Sequence, residues 1–171
     1  MSVRILFRAT ITLGVTGLCC NCSLPNQAPV VGDKAPDMEV LTLSGDTVAL
    51  GIFQGDPVLL NLWATWCAPC REETPYLQTL HETYSEQGLS VVGVSQDSRG
   101  SGSVIQAFME EFGVTYTVLA DPEMVAVDRF GVIGLPATFL VDREGTIREV
   151  VMGAITPGSQ TFESMLRSIL E

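Results

Sequence analysis

Basic side chains are scarce in this sequence. Its 171 residues include 9 lysines and arginines against 20 aspartates and glutamates, which gives a formal net charge of −11. A nucleic-acid-binding surface needs clustered positive charge to meet phosphates, and the sequence offers no such cluster. The composition therefore excludes nucleic acid as a partner. The acidity itself is typical of a solvated surface, or of a face that docks a basic partner.

Side chains that bind metals are also few. The single histidine, His81, falls within a helical pattern and is predicted to lie on the surface. Cys67 and Cys70 form a Cys-x-x-Cys motif, and three further cysteines lie near the N-terminus, at Cys19, Cys20 and Cys22. A zinc site would need a second pair of ligands near the motif. The sequence therefore predicts neither a metal site nor another cofactor.

The first 22 residues differ in kind from the rest. Arg4 and Arg8 are their only charges, and an apolar stretch of about a dozen residues follows, as in an export signal. This stretch is short for a transmembrane span. Cysteines at its end also suggest a lipidated N-terminus, although the residues before them match the lipoprotein pattern poorly. Cleavage, lipidation, retention as an anchor and a buried N-terminal helix all stay open as alternatives.

One folded domain is predicted after this segment. Residues 23–36 are rich in proline and lack apolar periodicity, which predicts a linker. Residues 37–171 are enough for a single domain with a substantial core. Export would place that domain in the periplasm or on the outer face of the cytoplasmic membrane. Disulfides persist there, so another protein would have to keep a reactive dithiol reduced.

Apolar patterning within the domain alternates between strands and helices. A hairpin is predicted across Ser44-Gly45-Asp46. Further strands are predicted at 58–63, 89–94, 115–120, 137–141 and 147–151. Helices are predicted directly after Cys70, at 104–112, after Asp121-Pro122 and at 161–170. This order predicts an α/β fold with a mixed sheet covered by helices on both faces.

The Cys67–Cys70 pair stands where a buried strand meets the start of a helix. A helix N-terminus carries unpaired N–H groups and partial positive charge, which favour an anion. For a cysteine that anion is the thiolate, the nucleophilic form. The second cysteine would lie one turn further along, in reach of the first. On its own, the motif is equally compatible with a structural link.

A second motif, Gly134-Leu135-Pro136-Ala137-Thr138, stands immediately before a predicted strand. Proline cannot donate a hydrogen bond to a sheet, so a proline at the first position of a strand is allowed. A cis bond before Pro136 would be a specific feature of the fold. An ordinary proline at the entrance of a strand is the simpler interpretation.

Taken together, these motifs resemble the thioredoxin superfamily. The resemblance rests on Trp63-Ala64-x-Trp66-Cys67-x-Pro69-Cys70, on Pro75, and on Gly134-x-Pro136-x-Thr138-Phe139. More narrowly, the run from Cys67 through Glu73 to Pro75, and the run from Gly134 through Asp142 to Gly145, resemble the TlpA/ResA/CcmG branch. That branch consists of exported, anchored thiol–disulfide oxidoreductases. The resemblance covers about residues 30–171.

The resemblance implies a thioredoxin fold with two additions. One is an N-terminal β-hairpin, which corresponds to residues 37–50, and the other is an inserted strand–helix unit at about residues 104–120. It also implies a redox-active Cys67–Cys70 disulfide, in which Cys67 attacks the substrate and Cys70 resolves the mixed disulfide. The substrate-binding residues would surround this pair: Trp66, Ala68, Pro69, Leu135 and Pro136. The resemblance matches Pro136 to the family's cis-proline loop, which faces the two cysteines and binds the substrate backbone. Trp63 fits core packing better.

Two positions near the cysteines set this branch apart. Cytoplasmic thioredoxins carry a buried acid six residues before the first cysteine, where this sequence has Asn61. The branch instead carries a glutamate three residues after the second cysteine, which is Glu73 here. The resemblance implies that Glu73 accepts the proton of the resolving thiol. The alternative is that Glu72 and Glu73 merely favour the first turns of the helix.

The implied function is the reduction of disulfides in envelope proteins, with apocytochrome c during cytochrome c maturation as one candidate client. Electrons would come from a membrane thiol-transfer protein, and the N-terminus would provide any membrane association. The linking pair Ala68-Pro69 contains no cation, which favours a reductant over a strong oxidant. A thiol peroxidase is the first alternative, weakened because Ala64 stands where its Thr/Ser-x-x-Cys pattern needs a hydroxyl. A non-catalytic interaction module is the second.

Overall fold

The computed structural model describes residues 28–171. The predicted export signal or anchor, residues 1–22, lies outside the described residues, as does the first part of the predicted linker. The three N-terminal cysteines lie there too. Within residues 28–171, no helix is both long enough and apolar enough to cross a membrane.

The predicted strands and helices are present, most of them within two residues of their predicted bounds. They follow one another as β1 (Glu39–Leu41), β2 (Thr47–Ala49), β3 (Val58–Trp63), α1 (Ala68–Tyr84), β4 (Ser90–Ser95), α2 (Gly102–Phe112), β5 (Thr117–Ala120), α3 (Val125–Phe130), β6 (Ala137–Val141), β7 (Ile147–Met152) and α4 (Gln160–Leu170). β5 begins two residues later than predicted. The cause is Gln78 of α1, whose side-chain oxygen accepts the backbone N–H of Thr115 and holds it off the sheet.

The strands form one mixed sheet in the order β2-β1-β5-β4-β3-β6-β7. β3, β4 and β5 are parallel, whereas β6 runs antiparallel to β3 and pairs Ala137 with Leu62. The loops that follow β3, β4 and β5 and the loop that precedes β6 therefore meet at one end of the sheet. The predicted inserted unit corresponds to α2 and β5, and β5 joins the hairpin β1–β2 to the rest of the sheet.

The side chains of β3 alternate between the two faces of the sheet, and all six residues are buried. Leu59 and Trp63 pack in the cluster that includes apolar residues of α1, α2 and α4. Val58, Leu60 and Leu62 pack in the other cluster, with residues of α3 and of the N-terminal hairpin. A buried leucine of this kind contributes about 2 kcal/mol to folding. Helices thus cover both faces, as predicted.

Part of the predicted linker is attached to the domain. Gly32 donates its N–H to the carbonyl of Ile147, and the N–H of Ile147 donates to the carbonyl of Asp33, each at 2.8 Å. Ala35 bonds in the same way to Gly145 at 2.9 Å. Residues 32–35 therefore run along the start of β7, ahead of the boundary at residue 37 that composition suggested.

Candidate active site

The two cysteines of the motif form a disulfide at the start of α1. Cys67 is the N-cap of the helix and Cys70 lies in its first turn, with 5.3 Å between their Cα atoms. The backbone N–H of Cys70 donates to Sγ of Cys67 at 3.3 Å. Cys67 is 6% exposed and Cys70 is 1% exposed. Unpaired N–H groups at a helix start favour a thiolate, so this geometry favours Cys67 as the nucleophile.

The loop that leads into Cys67 is held by a carboxylate from the next strand. Asp97 follows β4 and is buried. Its two oxygens accept the backbone N–H of Thr65 at 2.9 Å and the hydroxyl of Thr65 at 2.7 Å. The hydroxyl of Ser95 also donates to Asp97, at 2.7 Å. The loop between β3 and the dithiol is therefore fixed to the end of β4, a contact that the sequence analysis did not anticipate.

Glu73 is buried on α1, only 1% exposed, whereas its neighbour Glu72 points into solvent. One oxygen of Glu73 accepts a hydrogen bond from the Asn61 amide at 2.9 Å, and the other accepts the backbone N–H of Ile155 at 2.8 Å. Burial raises the pKa of Glu73 from 4.5 to about 6, against these two bonds, which lower it. A carboxyl with this pKa can exchange a proton near neutrality.

Thr74 and Tyr116 place hydroxyl groups near Cys70 and Glu73, respectively. Thr74 donates its hydroxyl to the carbonyl of Cys70 at 2.8 Å. Burial, together with the nearby charge of Glu73, raises the pKa of Tyr116, against a hydrogen bond with Thr74 that lowers it. The ring of His81 stands edge-on to Tyr116 with 6.3 Å between centroids. His81 is thus half-buried rather than a surface residue, because its ring packs under Tyr116.

The second motif reaches the same end of the sheet as the dithiol. Because Ala137 pairs with Leu62, the preceding residue, Pro136, lies beside the end of β3. The Leu135–Pro136 peptide bond is cis. The Pro136 carbonyl accepts the N–H of Gly153 at 2.9 Å, and Pro136 is buried. Leu135 is half-buried and contacts both core clusters.

Large apolar side chains are exposed on both sides of this end of the sheet. Trp66, directly before Cys67, is 68% exposed, and Ile133, which precedes the cis-proline loop, is 98% exposed. Ala68 and Pro69 are exposed as well. Trp63, in contrast, is buried with its ring 4.5 Å from that of Phe108, as core packing required. The sequence reading missed Ile133, because an apolar run does not reveal which member points outward.

Arg71 is a further neighbour of the dithiol that the sequence reading missed. Its guanidinium lies over the rings of Phe108 and Phe112, 5.2 Å and 4.9 Å from their centroids. It also pairs with Glu111 at 2.6 Å. All three partners belong to α2. The guanidinium of Arg71, the first charged group after Cys70, is therefore bound to α2 and does not face the exposed residues of the motif.

The main cavity of the described residues lies away from the dithiol, and these residues form no metal-ligand cluster. A cavity of about 310 Å³ has an apolar floor formed by Leu60, Val92 and Phe130, with Asp142 and Arg143 at its mouth. It lies at the opposite end of the sheet, where β3 starts and β6 ends. Within residues 28–171, no cluster of three or more histidine, cysteine, aspartate or glutamate side chains is arranged to hold a metal ion.

Three comparisons with known proteins agree with this geometry. The sequence model of the AhpC/TSA family matches residues 31–150. The thiol-disulfide oxidoreductase ResA of Oceanobacillus iheyensis is 36% identical over 162 residues, which cover 90% of this chain and 83% of that protein. ResA of Geobacillus thermodenitrificans is 33% identical over 156 residues, which cover 91% of this chain and 88% of that protein. The crystal structure of a putative thiol:disulfide interchange protein DsbE from Chlorobium tepidum superposes with a TM-score of 0.75 at 31% identity, covering 83% of this chain and 99% of that one.

Proposed function

The chain belongs to the AhpC/TSA family, as a thiol–disulfide oxidoreductase of the ResA/DsbE type, and from this we propose that it reduces disulfides of envelope proteins through Cys67 and Cys70. The observation that carries the proposal is the disulfide at the N-terminus of α1, with the Glu73 carboxyl buried on the same helix. Every group needed for dithiol exchange is then supplied by the chain itself.

The first step assigns the nucleophile to Cys67. Its thiolate, favoured at the helix N-cap, attacks one sulfur of the client disulfide. A Cys67–client bond forms, the client disulfide breaks, and its other sulfur leaves as a thiolate that takes a proton from solvent. Cys67 is proposed for this step because it opens the helix and its neighbours Trp66 and Ala68 are exposed.

The second step assigns proton transfer to Glu73. The Cys70 thiol gives its proton to the Glu73 carboxylate, and the resulting thiolate attacks Sγ of Cys67. The second client thiolate is released, so the client has gained two electrons and the Cys67–Cys70 disulfide has formed. Support comes from the pKa of Glu73 at about 6 and from the spacing of Cys70 and Glu73, which places them on one face of α1.

The docking surface is proposed to comprise Trp66, Ala68, Pro69, Leu135 and Pro136, together with the exposed Ile133 ahead of the cis-proline loop. Trp66 offers a large exposed ring directly before the nucleophile. Pro136 has no N–H, and its carbonyl is already bonded to Gly153. An extended client strand would therefore bond the backbone groups of the residues next to Pro136. Aromatic side chains at the centre of a contact commonly carry much of the binding energy.

The place of action is proposed to be outside the cytoplasm, in the periplasm or on the outer face of the membrane. Residues 1–22 support this with their export-signal pattern, and they would provide any anchor. Clients would be envelope proteins that carry disulfides, apocytochrome c during cytochrome c maturation among them. Because clients leave the enzyme oxidised, a membrane thiol-transfer protein would have to return the electrons.

A trapping experiment in the native host tests this proposal. The Cys70→Ala variant should accumulate mixed disulfides on Cys67, because the resolving thiol is gone. Mass spectrometry of the trapped species should identify envelope proteins with cysteine pairs, and apocytochrome c among them would support the maturation role. The double variant Cys67→Ala/Cys70→Ala is the matched control and should trap nothing.

Two results would contradict the proposal. One is a Cys70→Ala variant that is folded and exported yet traps no more protein than the double variant. The other is rapid consumption of hydrogen peroxide by the purified, reduced protein without reduction of a protein disulfide, which would favour the thiol peroxidase alternative.

A further inference from the structure

Asn61 is a polar residue at the centre of a fully buried strand. It lies in β3, whose six residues are all buried, and is itself 1% exposed. On the face of the sheet that α1 covers, its neighbours along the strand are Leu59 and Trp63. A buried amide is tolerated only when its polar atoms find hydrogen-bond partners. The partners of Asn61 therefore indicate why the residue stands there.

The amide nitrogen of Asn61 uses both of its hydrogens. One is donated to an oxygen of Glu73 at 2.9 Å and the other to the hydroxyl of Thr138 at 3.0 Å. Thr138 is the residue of β6 that pairs with Asn61 across the sheet. An ionised carboxylate only accepts hydrogen bonds, so the nitrogen of the amide, rather than its oxygen, faces Glu73. The carboxylate thus selects the orientation of the amide, and the Thr138 hydroxyl accepts the second hydrogen in that orientation.

Two parts of the fold outside α1 hold the carboxyl of Glu73. The side-chain amide of Asn61, on β3, donates to one oxygen, and the backbone N–H of Ile155, in the loop after β7, donates to the other. The titratable groups that face it are Tyr116 and, once the disulfide is reduced, the Cys70 thiol, by its position on α1. Among residues 28–171, no charged side chain contributes to the raised pKa of Glu73, which follows from burial against these two hydrogen bonds.

We propose that Asn61 is a positioning residue for the reductase reaction, which holds the Glu73 carboxylate in its ionised form on the Cys70 side of α1. The inference rests on the proposed role of Glu73 as proton acceptor. In the resolving step the S–H bond of Cys70 breaks, the proton moves to a Glu73 oxygen, and the electron pair stays on sulfur. The carboxyl must be ionised at that moment, and a hydrogen bond donated to it favours the ionised form.

Replacing the amide with an apolar side chain of similar size tests this role. In Asn61→Leu the hydrogen bond to the charged form is lost, so the midpoint at which Glu73 titrates should rise by about one pH unit or more. Thr138→Val leaves Asn61 in place and removes only its second partner, so the midpoint should rise in the same direction by less. Gln78→Met, a buried substitution on α1 that changes contacts to Thr115, is the matched control and should leave the midpoint unchanged.

The midpoint is measured in two ways. Titration of the oxidised protein by ¹³C NMR, with the Glu73 signal assigned by its loss in Glu73→Gln, reports the carboxyl without any turnover. The acid limb of client reduction at saturating client should move by the same amount. A merely structural loss of stability would lower activity at every pH and leave both midpoints where they were.

Each outcome decides one of the two ideas. A folded Asn61→Leu protein whose Glu73 midpoint stays within about 0.3 pH units of the wild type would overturn the role of Asn61. If Asn61→Leu does not fold, Thr138→Val decides, and an unshifted midpoint there overturns the inference. An acid limb that is unchanged in Glu73→Gln would instead overturn the proposed role of Glu73 itself.

Discussion

Cys67 and Cys70 share one disulfide, yet their surroundings differ in kind. Cys67 opens α1 beside the exposed ring of Trp66, with Ile133 exposed at the same end of the sheet. Cys70 is buried, and its own carbonyl accepts the hydroxyl of Thr74. The Glu73 carboxyl follows one turn later on the same helix. In the proposed reaction the side chains around Cys67 select the client, whereas those around Cys70 handle the proton. Recognition and proton transfer then fall to the two ends of one short motif.

Removing the sulfur proposed as the nucleophile should give the largest effect and test the comparison most directly. Cys67→Ser replaces the thiolate with a hydroxyl that does not ionise near neutrality, so client reduction should fall about 10³-fold or more. Cys70→Ser should instead retain the first step and stop at the mixed disulfide. A rapid-quench assay of both variants separates the steps. Equal loss of mixed-disulfide formation in the two variants would contradict the assignment of Cys67 as the nucleophile.

Removing the buried carboxylate should give the next effect. Glu73→Gln keeps the size of the side chain but cannot take a proton, so the resolving step should slow by about 10²-fold at pH 7.5. The wild-type rate should fall as the pH drops through about 6, because Glu73 becomes protonated. The variant should lack this limb while forming the mixed disulfide at the wild-type rate, which stopped-flow measurements across pH 5–8 would check.

The same carboxyl should leave a signature in stability that exposed residues cannot produce. The unfolded carboxyl titrates at 4.5 and the folded one at about 6, so between these values the folded protein binds more protons. Stability should therefore fall as the pH rises through this window, by about 2 kcal/mol for a shift of this size.

Urea denaturation of the oxidised protein at pH 4 and pH 7.5, compared with Glu73→Gln, measures this contribution. The lowered pKa of Asp142 acts in the opposite direction, but it is common to both proteins and cancels in the difference. A difference in unfolding free energy that is the same at the two pH values would contradict the buried, raised carboxyl.

The exposed apolar side chains should give the smallest effect, confined to binding. Trp66→Ala and Ile133→Asp should each raise KM for a protein client about 5- to 30-fold, with kcat and the melting temperature nearly unchanged. Reduction of a small disulfide such as oxidised glutathione should not respond, because it does not span the surface. The matched control is Ile52→Asp, which is exposed but lies away from the dithiol. An equal change in KM for Ile52→Asp would mean that the effect is not local.

Local patterns predicted the exposed half of this comparison well. The bounds of β3 follow from an apolar run that only Asn61 interrupts, and the position of Cys67 at a helix start follows from the residues on either side of it. The cis bond before Pro136 and the role of Glu73 were predicted from the family resemblance. These features depend on neighbours in the chain or on motifs of a few residues, which a sequence displays directly.

The buried half depends on contacts between distant residues. Asn61 and Thr138 are 77 positions apart, and Glu73 and Ile155 are 82 positions apart. Ile155 contributes only a backbone N–H, so its side chain gives no sign of the contact. The same holds for residues 32–35, which pair with β7 through backbone groups alone. No pattern of side chains marks such contacts. The composition of residues 32–35 therefore predicts a linker, although their backbone is bonded to the domain.

The Asp97 carboxylate, which fixes Thr65 through two hydrogen bonds, bears on the entropy of client docking. The loop that carries Trp66 to Cys67 is already ordered at the end of the sheet, so it has little conformational freedom left to lose when a mixed disulfide forms. Most of the ordering cost then falls on the client. Clients that are flexible around their disulfide would bind weakly and leave readily, which suits an enzyme that must release each one after a single exchange of electrons.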